Sequence, residues 1–297
     1  MSALLTLLAP ALLLAAPGGP TVSWQSAENY ISGRSFAVSL TVEAGAEQAT
    51  LKTWMLGPGA FSMNGKPLAE RGDGELSLVP GSRLELAFDL GPALAAKPPG
   101  GPFTLELFGT EALRTITPIQ PVEKGLDFLS MAPAQLTAYR VVMETNQGTM
   151  WIELWPDVAP VHSANFLDLS AAGFYDGLGF HRCIPGFMIQ GGDPTGTGAG
   201  NGPRKLPAEF NDRKHVRGVL SAARMGHDIN SASCQFFVMH ATYPSLDGQY
   251  TAFGQVTSGA EVIDAIVSSP RDLRTNKPKS PQTILSAVVV RAPATKD

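Results

Sequence analysis

The chain has 297 residues, 44% of them hydrophobic and 16% charged, with a formal net charge of −4. This composition can bury a sizeable core, and without a basic run it argues against nucleic acid as a main partner, because phosphate binding needs clustered Lys and Arg. Two cysteines, Cys183 and Cys234, are too few for a disulfide framework and fit no zinc spacing, so buried thiols are the simpler reading and a single disulfide the alternative.

Residues 1–19 carry a leucine- and alanine-rich run that is short for a bilayer span and ends in small residues, although no Lys or Arg precedes it. It reads as the apolar core and cleavage region of a signal peptide. The expectation is an exported chain, periplasmic or secreted, or tethered to a membrane if the segment is not cleaved. Residues 20–117 read as short strands. Ser35–Val42, Ser82–Leu90 and Phe103–Phe108 alternate polar with apolar residues, and Gly57-Pro58-Gly59, Asn64-Gly65, Gly72-Asp73-Gly74 and Pro80-Gly81 punctuate them. A small β-sandwich of immunoglobulin-like type is expected there, of unknown role. Residues 118–137, with Pro118, Pro121 and Pro133, read as a linker to a domain over 138–293.

From Tyr139 onward, Arg140–Thr145 and Thr149–Leu154 form two strands joined by an Asn146-Gln147-Gly148 hairpin turn. Asp157 and Pro160 suggest the start of a helix, with Asp157 as its cap. Ala164, Phe166, Leu167 and Ala171 would give that helix its apolar face, and Gly173 its end. Phe180–Ile189 reads as strand, turn, strand. Val219–Ala223, Phe236–Met239, Thr251–Val256 and Thr283–Val290 are further strands, and Glu261–Val267 is a second short helix. The pattern is mainly β and predicts a closed antiparallel barrel capped by two helices.

The chemistry concentrates in Phe180–Asp193 and Cys234–Val238. A cation, Arg182, and two amides, Gln190 and Gln235, stand among large apolar side chains with no obvious nucleophile. Such a set suits a site that grips a peptide and polarises an amide. Taken alone, Arg182 would be a solvated strand residue, and Phe187, Met188 and Phe237 would be core.

Their company changes that reading. The ordered motifs are Asn165-Phe166, Phe180-His181-Arg182, Pro185 through Asp193, Leu220 through Arg224, Ser233 through Phe237, and Leu246 through Gly254. Over residues 140–291 the chain resembles the cyclophilin-type peptidyl-prolyl cis-trans isomerases, which implies an eight-stranded antiparallel barrel and an isomerase without cofactor. The resemblance makes Arg182 the catalytic arginine. Phe187, Met188, Phe237 and Leu246 become the walls of a proline pocket, and Gln190 and Gln235 the holders of the arginine and the substrate backbone. Ala223 and Arg224 line the groove, and Tyr250 takes the pocket position where the family pattern has a histidine. Ser245 stands where that pattern has a tryptophan associated with cyclosporin binding, so weak cyclosporin sensitivity is expected. In this register the apolar pocket residues should form an exposed patch, the mark of a binding site.

Amide rotation costs ~18–20 kcal/mol because it breaks the partial double bond. X-Pro bonds consequently isomerise slowly enough for folding to wait on them. Catalysis needs no metal, base or nucleophile, only a site that fits the twisted amide better than either planar form. A guanidinium, always charged and rigidly forked, suits the prolyl nitrogen whose lone pair is then localised. The expected partners are proline-containing segments of unfolded or partly folded proteins. The alternative is a module that binds such segments with little turnover. His162, His181, His215, His227 and His240 form no ligand pair, so no metal is expected, and Asn201 in the Gly196–Gly202 loop breaks the dinucleotide fingerprint.

Overall fold

The computed structural model describes residues 21–26, 29–34, 36–45, 49–100, 102–107, 113–123 and 125–292. The expected signal segment lies outside them. The described chain divides between Gln120 and Pro121 into two compact units.

Among its described residues the first unit holds ten strands: β1 (Thr21–Ser26), β2 (Asn29–Ile31), β3 (Ala37–Glu43), β4 (Ala49–Lys52), β5 (Phe61–Met63), β6 (Lys66–Pro67), β7 (Glu75–Leu78), β8 (Arg83–Asp89), β9 (Phe103–Leu107) and β10 (Leu113–Ile119). One sheet has the order β1-β3-β8 and another β2-β10-β9-β5-β6, with β4 and β7 paired apart. All pairs are antiparallel except β2 with β10. Alternation does the work expected of it. Val38, Leu40 and Val42 of β3 and Phe103, Leu105 and Leu107 of β9 point into one core shared by the two sheets, together with Trp24, Tyr30 and Phe61. A short helix not foreseen from the sequence, α1 (Gly91–Ala96), adds a fully buried Leu94 to that core.

The stretch read as a linker is built into the folded units. Pro118 lies within β10, opposite Tyr30 of β2. Pro121 bridges to Val290, and the Val122 amide donates to the Val289 carbonyl at 2.9 Å. Phe128 starts a single 3-10 turn, and Pro133 occupies the first turn of α2 (Pro133–Leu136), a position where its missing N–H is not needed. Phe128 and Leu136 are 0% and 1% exposed in the core of the second unit, with Phe128 edge-on to Tyr139. Of the prolines that suggested a linker, Pro118 is thus a strand residue, Pro121 an isolated bridge residue and Pro133 a helix-start residue.

The second unit contains β11 (Tyr139–Thr145), β12 (Gly148–Leu154), α3 (Pro160–Ala171), β13 (Arg182–Ile184), β14 (Met188–Gly191), β15 (Val219–Ala222), β16 (Phe236–Met239), β17 (Ala252–Ser258), α4 (Glu261–Val267) and β18 (Ile284–Arg291). Its strands form one eight-stranded antiparallel sheet in the order β13-β14-β16-β15-β17-β12-β11-β18. The two ends of this curled sheet are tied where the chain enters β13. Gly177 N donates to Ile284 O at 2.8 Å, Ile284 N to Leu178 O at 2.8 Å and Phe180 N to Gln282 O at 2.7 Å.

Helix α3 ends as expected at Gly173, with φ +71°. Its start differs from expectation. Asp157 does not cap it but pairs with Arg213 at 2.9 Å, and the first residues of the helix instead present their N–H groups to a distant carboxylate, Glu209. Ala171 is exposed, because the buried face runs from His162 to Ser170.

Candidate active site

The run Phe236-Phe237-Val238-Met239 is apolar throughout because β16 is covered on both faces. Phe236 and Val238 point into the barrel core, with Ile189 and Leu220 from the neighbouring strands. Phe237 and Met239 point the other way, into a second cluster with Met188, Val219, Leu246 and Ala252. The strand period of two therefore splits each of β14, β15 and β16 between the core and a separate outer apolar cluster.

On that outer face Arg182, Gln190 and Phe237 sit side by side. Arg182 is opposite Gln190 in the β13–β14 pair, and Gln190 is opposite Phe237 in the β14–β16 pair. Arg182 Nη1 donates to Gln190 Oε1 at 3.3 Å, and Gln190 Nε2 donates to Gln235 Oε1 at 3.0 Å. Gln235 Nε2 in turn donates to the carbonyls of Gly198 and Gly200 at 3.0 and 2.8 Å. The guanidinium is thus the first member of a chain of amides that ends on the Gly191–Gly202 loop. Asp193 folds that loop by accepting from Thr195 N and Oγ1, Thr197 N and Gly198 N. Burial alone would raise its carboxyl, but the hydrogen bonds from Thr195 and from the glycine amides of the loop bring it down to about 2.

The floor of the site is made by Met188, Phe237 and Leu246, which are 1%, 5% and 9% exposed. The expected exposed apolar patch is therefore a sunken one. Half-buried Phe187, Ala223 and Tyr250 pack around the floor. Tyr250 meets Phe237 edge-on at 5.7 Å, and the Arg182 guanidinium lies 5.9 Å from the centre of the Phe187 ring. Arg224 covers Tyr250 at 4.6 Å, with Nε and Nη2 donating to the Gln249 carbonyl at 3.1 and 2.9 Å. Ser245 is exposed at the rim beside Leu246. Next to the glutamine pair opens a cavity of about 290 Å³, lined in part by Gln190, Gln235, Ala223, Arg224 and Met225.

A buried imidazole that no sequence signal announces lies against this floor. His215, 1% exposed, stacks on Phe237 with ring centres 6.2 Å apart. Its Nδ1 lies 3.0 Å from Asp247 Oδ1 and its Nε2 3.0 Å from Ser221 Oγ. Asp247 and Ser221 lie in motifs singled out above, but only the fold brings them to one histidine. Burial pushes His215 below the usual imidazole value, against the pull of Asp247. The Ser221 hydroxyl itself donates to the Thr251 carbonyl at 2.8 Å, which fixes its oxygen beside the ring. Both cysteines are buried and free, and burial raises Cys183 to about 12 and Cys234 to about 11, so neither offers a thiolate. Among the described residues no group of His, Cys, Asp and Glu could hold a metal.

The antiparallel barrel thus carries a cation and two linked amides beside a sunken apolar floor. The family model described as cyclophilin type peptidyl-prolyl cis-trans isomerase matches residues 140–289. A peptidyl-prolyl cis-trans isomerase of Synechococcus elongatus is 49% identical over 116 residues, 39% of this chain and 79% of that protein. The Arabidopsis thaliana isomerase CYP18-1 is 48% identical over 130 residues, 42% of this chain and 79% of its own. A crystal structure of a Cryptosporidium parvum cyclophilin type isomerase superposes with a TM-score of 0.50 at 37% identity, covering 52% of this chain and 98% of that one. The chain belongs to the cyclophilin-type peptidyl-prolyl cis-trans isomerase family, and its second unit is an isomerase domain.

Proposed function

We propose that isomerisation is carried by Arg182 acting over the pocket of Phe187, Met188, Phe237, Leu246 and Tyr250. The observation that carries this reading is the Arg182–Gln190–Gln235 chain, which points a fixed cation across an apolar floor. The floor takes the proline ring. As the preceding carbonyl turns out of the amide plane, the prolyl nitrogen regains its lone pair, and a guanidinium N–H donates to it. The apolar walls strengthen that interaction by excluding water, and Gln190 holds the fork so that no reorganisation is needed at the moment of twisting. Gln235 and the Gly198–Gly200 carbonyls fix Gln190 in turn, while Ala223 and Arg224 border the groove along which the substrate backbone would lie. Exchange spectroscopy on an Xaa-Pro peptide tests this assignment. Arg182→Ala should lose most of the acceleration, and equal rates for variant and wild type would remove Arg182 from the mechanism.

The physiological substrates of this reading are X-Pro bonds in folding exported proteins. The apolar leader-like residues 1–19 support it. The first unit is read as an immunoglobulin-like module that positions the isomerase on a partner. Its support is the strand order, two sheets on a common core with the short β2 running parallel to β10. A pull-down with that unit alone tests the role, and a unit that captures nothing from envelope extracts would count against it. A second reading, binding with little turnover, is favoured by the Arg224–Tyr250 stack, which narrows one side of the pocket. A peptide that binds the groove without accelerated exchange would establish it.

A further inference from the structure

The turn that delivers Phe187 to the pocket is held by a histidine outside the residues assigned above. Pro185 and Gly186 form the corner between β13 and β14, closed by Phe187 N donating to Ile184 O at 3.0 Å, with Gly186 at φ +76°. Pro followed by Gly at positive φ suits such a corner and leaves the Gly186 N–H outside the turn's own hydrogen bond. That N–H donates to His240 Nδ1 at 3.0 Å. On the far side of the ring, His240 Nε2 stands 3.1 Å from Asp264 Oδ1 of α4.

This geometry defines one tautomer. Nδ1 accepts, so in the neutral ring the proton sits on Nε2, the nitrogen that faces Asp264. Arg217 fixes Asp264 from the other side, with Nη1 and Nη2 donating to its two oxygens at 2.9 and 2.8 Å, and Nη1 also reaches the His240 carbonyl at 3.1 Å. Asp264 on α4 and Arg217 ahead of β15 are the charged groups that face His240 from the elements packed against it.

The same segment grips Phe187 as well. The His240 amide donates to the Phe187 carbonyl at 2.9 Å and the Ala241 amide to the same oxygen at 3.4 Å. The Tyr243 ring packs on the Phe187 ring with centres 4.5 Å apart. Of these ties, only the one to the imidazole nitrogen is a hydrogen bond made to a side chain, so a substitution can remove it and leave the backbone bonds in place. The His240 side chain is 24% exposed, so solvent reaches it.

We propose that His240 is a positioning residue for the isomerase site: its imidazole holds the Pro185-Gly186 corner and thereby sets Phe187 against Arg182. The effect falls on substrate affinity more than on turnover, because Phe187 is a wall of the pocket and the guanidinium is held separately by Gln190. The inference rests on the proposed pocket role of Phe187.

The test uses the full chain, with the ¹⁵N–¹H signal of Gly186 and the kinetics of an Xaa-Pro peptide compared in wild type and two variants. His240→Asn is the conservative rescue, since its Oδ1 falls where Nδ1 was, and it should keep the Gly186 amide signal and KM close to wild type. His240→Phe, which removes the acceptor, should move the Gly186 amide signal and raise KM about fivefold with kcat little changed, the factor that one lost hydrogen bond carries. A wild-type KM in His240→Phe, or an equal rise in His240→Asn, would overturn the inference. Phe187→Ala separates it from the pocket reading. An unchanged KM in that variant, beside a Gly186 amide that still moves in His240→Phe, would defeat the inference through the role of Phe187 and leave the hydrogen bond standing.

Discussion

Gln190 accepts a hydrogen bond from Arg182 directly across the β13–β14 pair, Nη1 to Oε1 at 3.3 Å. The register of two short strands thus fixes where the guanidinium can point. Gln190→Leu keeps the size of the side chain and removes the acceptor. It should lower kcat/KM about tenfold with little change in stability, as a half-buried glutamine whose loss frees the arginine to wander. The measurement is kcat/KM by exchange spectroscopy beside a denaturant titration, and full activity in this variant would show that Arg182 needs no guide.

Stability should depend on pH through His215. Burial lowers its folded-state affinity for protons, so as pH falls through the ordinary histidine value near ~6.5 the unfolded chain takes up the proton first. The neutral ring's contribution is therefore whole above that pH and is lost as pH falls toward the lower folded value. His181 beside Arg182 is lowered for the same reason, its burial, and acts in the same direction. Urea titrations from pH 8 to pH 5 should show a falling midpoint for the wild type and a shallower fall for His215→Gln. Identical slopes in the two proteins would count against His215 as a source.

Glu209 caps α3 from 48 residues away in sequence, accepting from Val161 N at 3.0 Å and His162 N at 2.9 Å and meeting His162 Nδ1 at 2.6 Å. Burial opposes its ionisation, but these hydrogen bonds hold it below the ordinary glutamate value, so its contribution is present at neutral pH and is lost in acid. Glu209→Ala should cost about 1–2 kcal/mol, the worth of a strong cap, and lower the Tm of the isomerase unit by several degrees. Asp157→Ala, at the residue that the sequence suggested as the cap, should change Tm little. The reverse order of the two effects would restore Asp157 to that role.

The boundary of the isomerase unit can be tested by truncation. A fragment beginning at Pro121 retains Phe128 and Leu136 in its core, whereas one beginning at Ala138 loses both. Each deletion of such a side chain costs about 3–4 kcal/mol. The longer fragment should therefore be folded and active and the shorter one unstable. Equal thermal stability of the two would return 121–137 to the status of a linker.

Ser245→Trp places an indole at the exposed rim beside Leu246 and should raise cyclosporin affinity, read by calorimetry, while leaving peptide isomerisation close to wild type. An unchanged weak affinity would mean that the inhibitor's contact is limited elsewhere, for instance at Tyr250.

What the sequence made legible follows from the range of the forces involved. Strand alternation and ordered motifs located β11 to β18 and brought Arg182, Gln190, Phe237 and Tyr250 to one face, because strand period and turn chemistry are local. The capping of α3 was misread for the converse reason. Asp157 is the nearest acid in sequence, but the helix N-terminus accepts whichever carboxylate the fold brings, and that is Glu209. In the sequence His215 and His240 show only that they make no metal-ligand pair. Their partners, Ser221, Asp247, Gly186 and Asp264, lie on different elements, and no spacing rule connects them. The prolines of 118–137 suggested a break, while the apolar signal that mattered there, Phe128 with Leu136, was too sparse to show a period.

The most direct test of the central claim is the exchange rate of an Xaa-Pro peptide under Arg182→Lys and Arg182→Ala at saturating and at low peptide. With Arg182 as the donor to the twisted prolyl nitrogen, both variants should still bind the peptide, Arg182→Ala should lose about a hundredfold in kcat/KM, the scale of one preorganised donor, and Arg182→Lys should recover only part of it because a lysine lacks the fork that Gln190 holds. Wild-type kcat/KM in Arg182→Ala would contradict the mechanism.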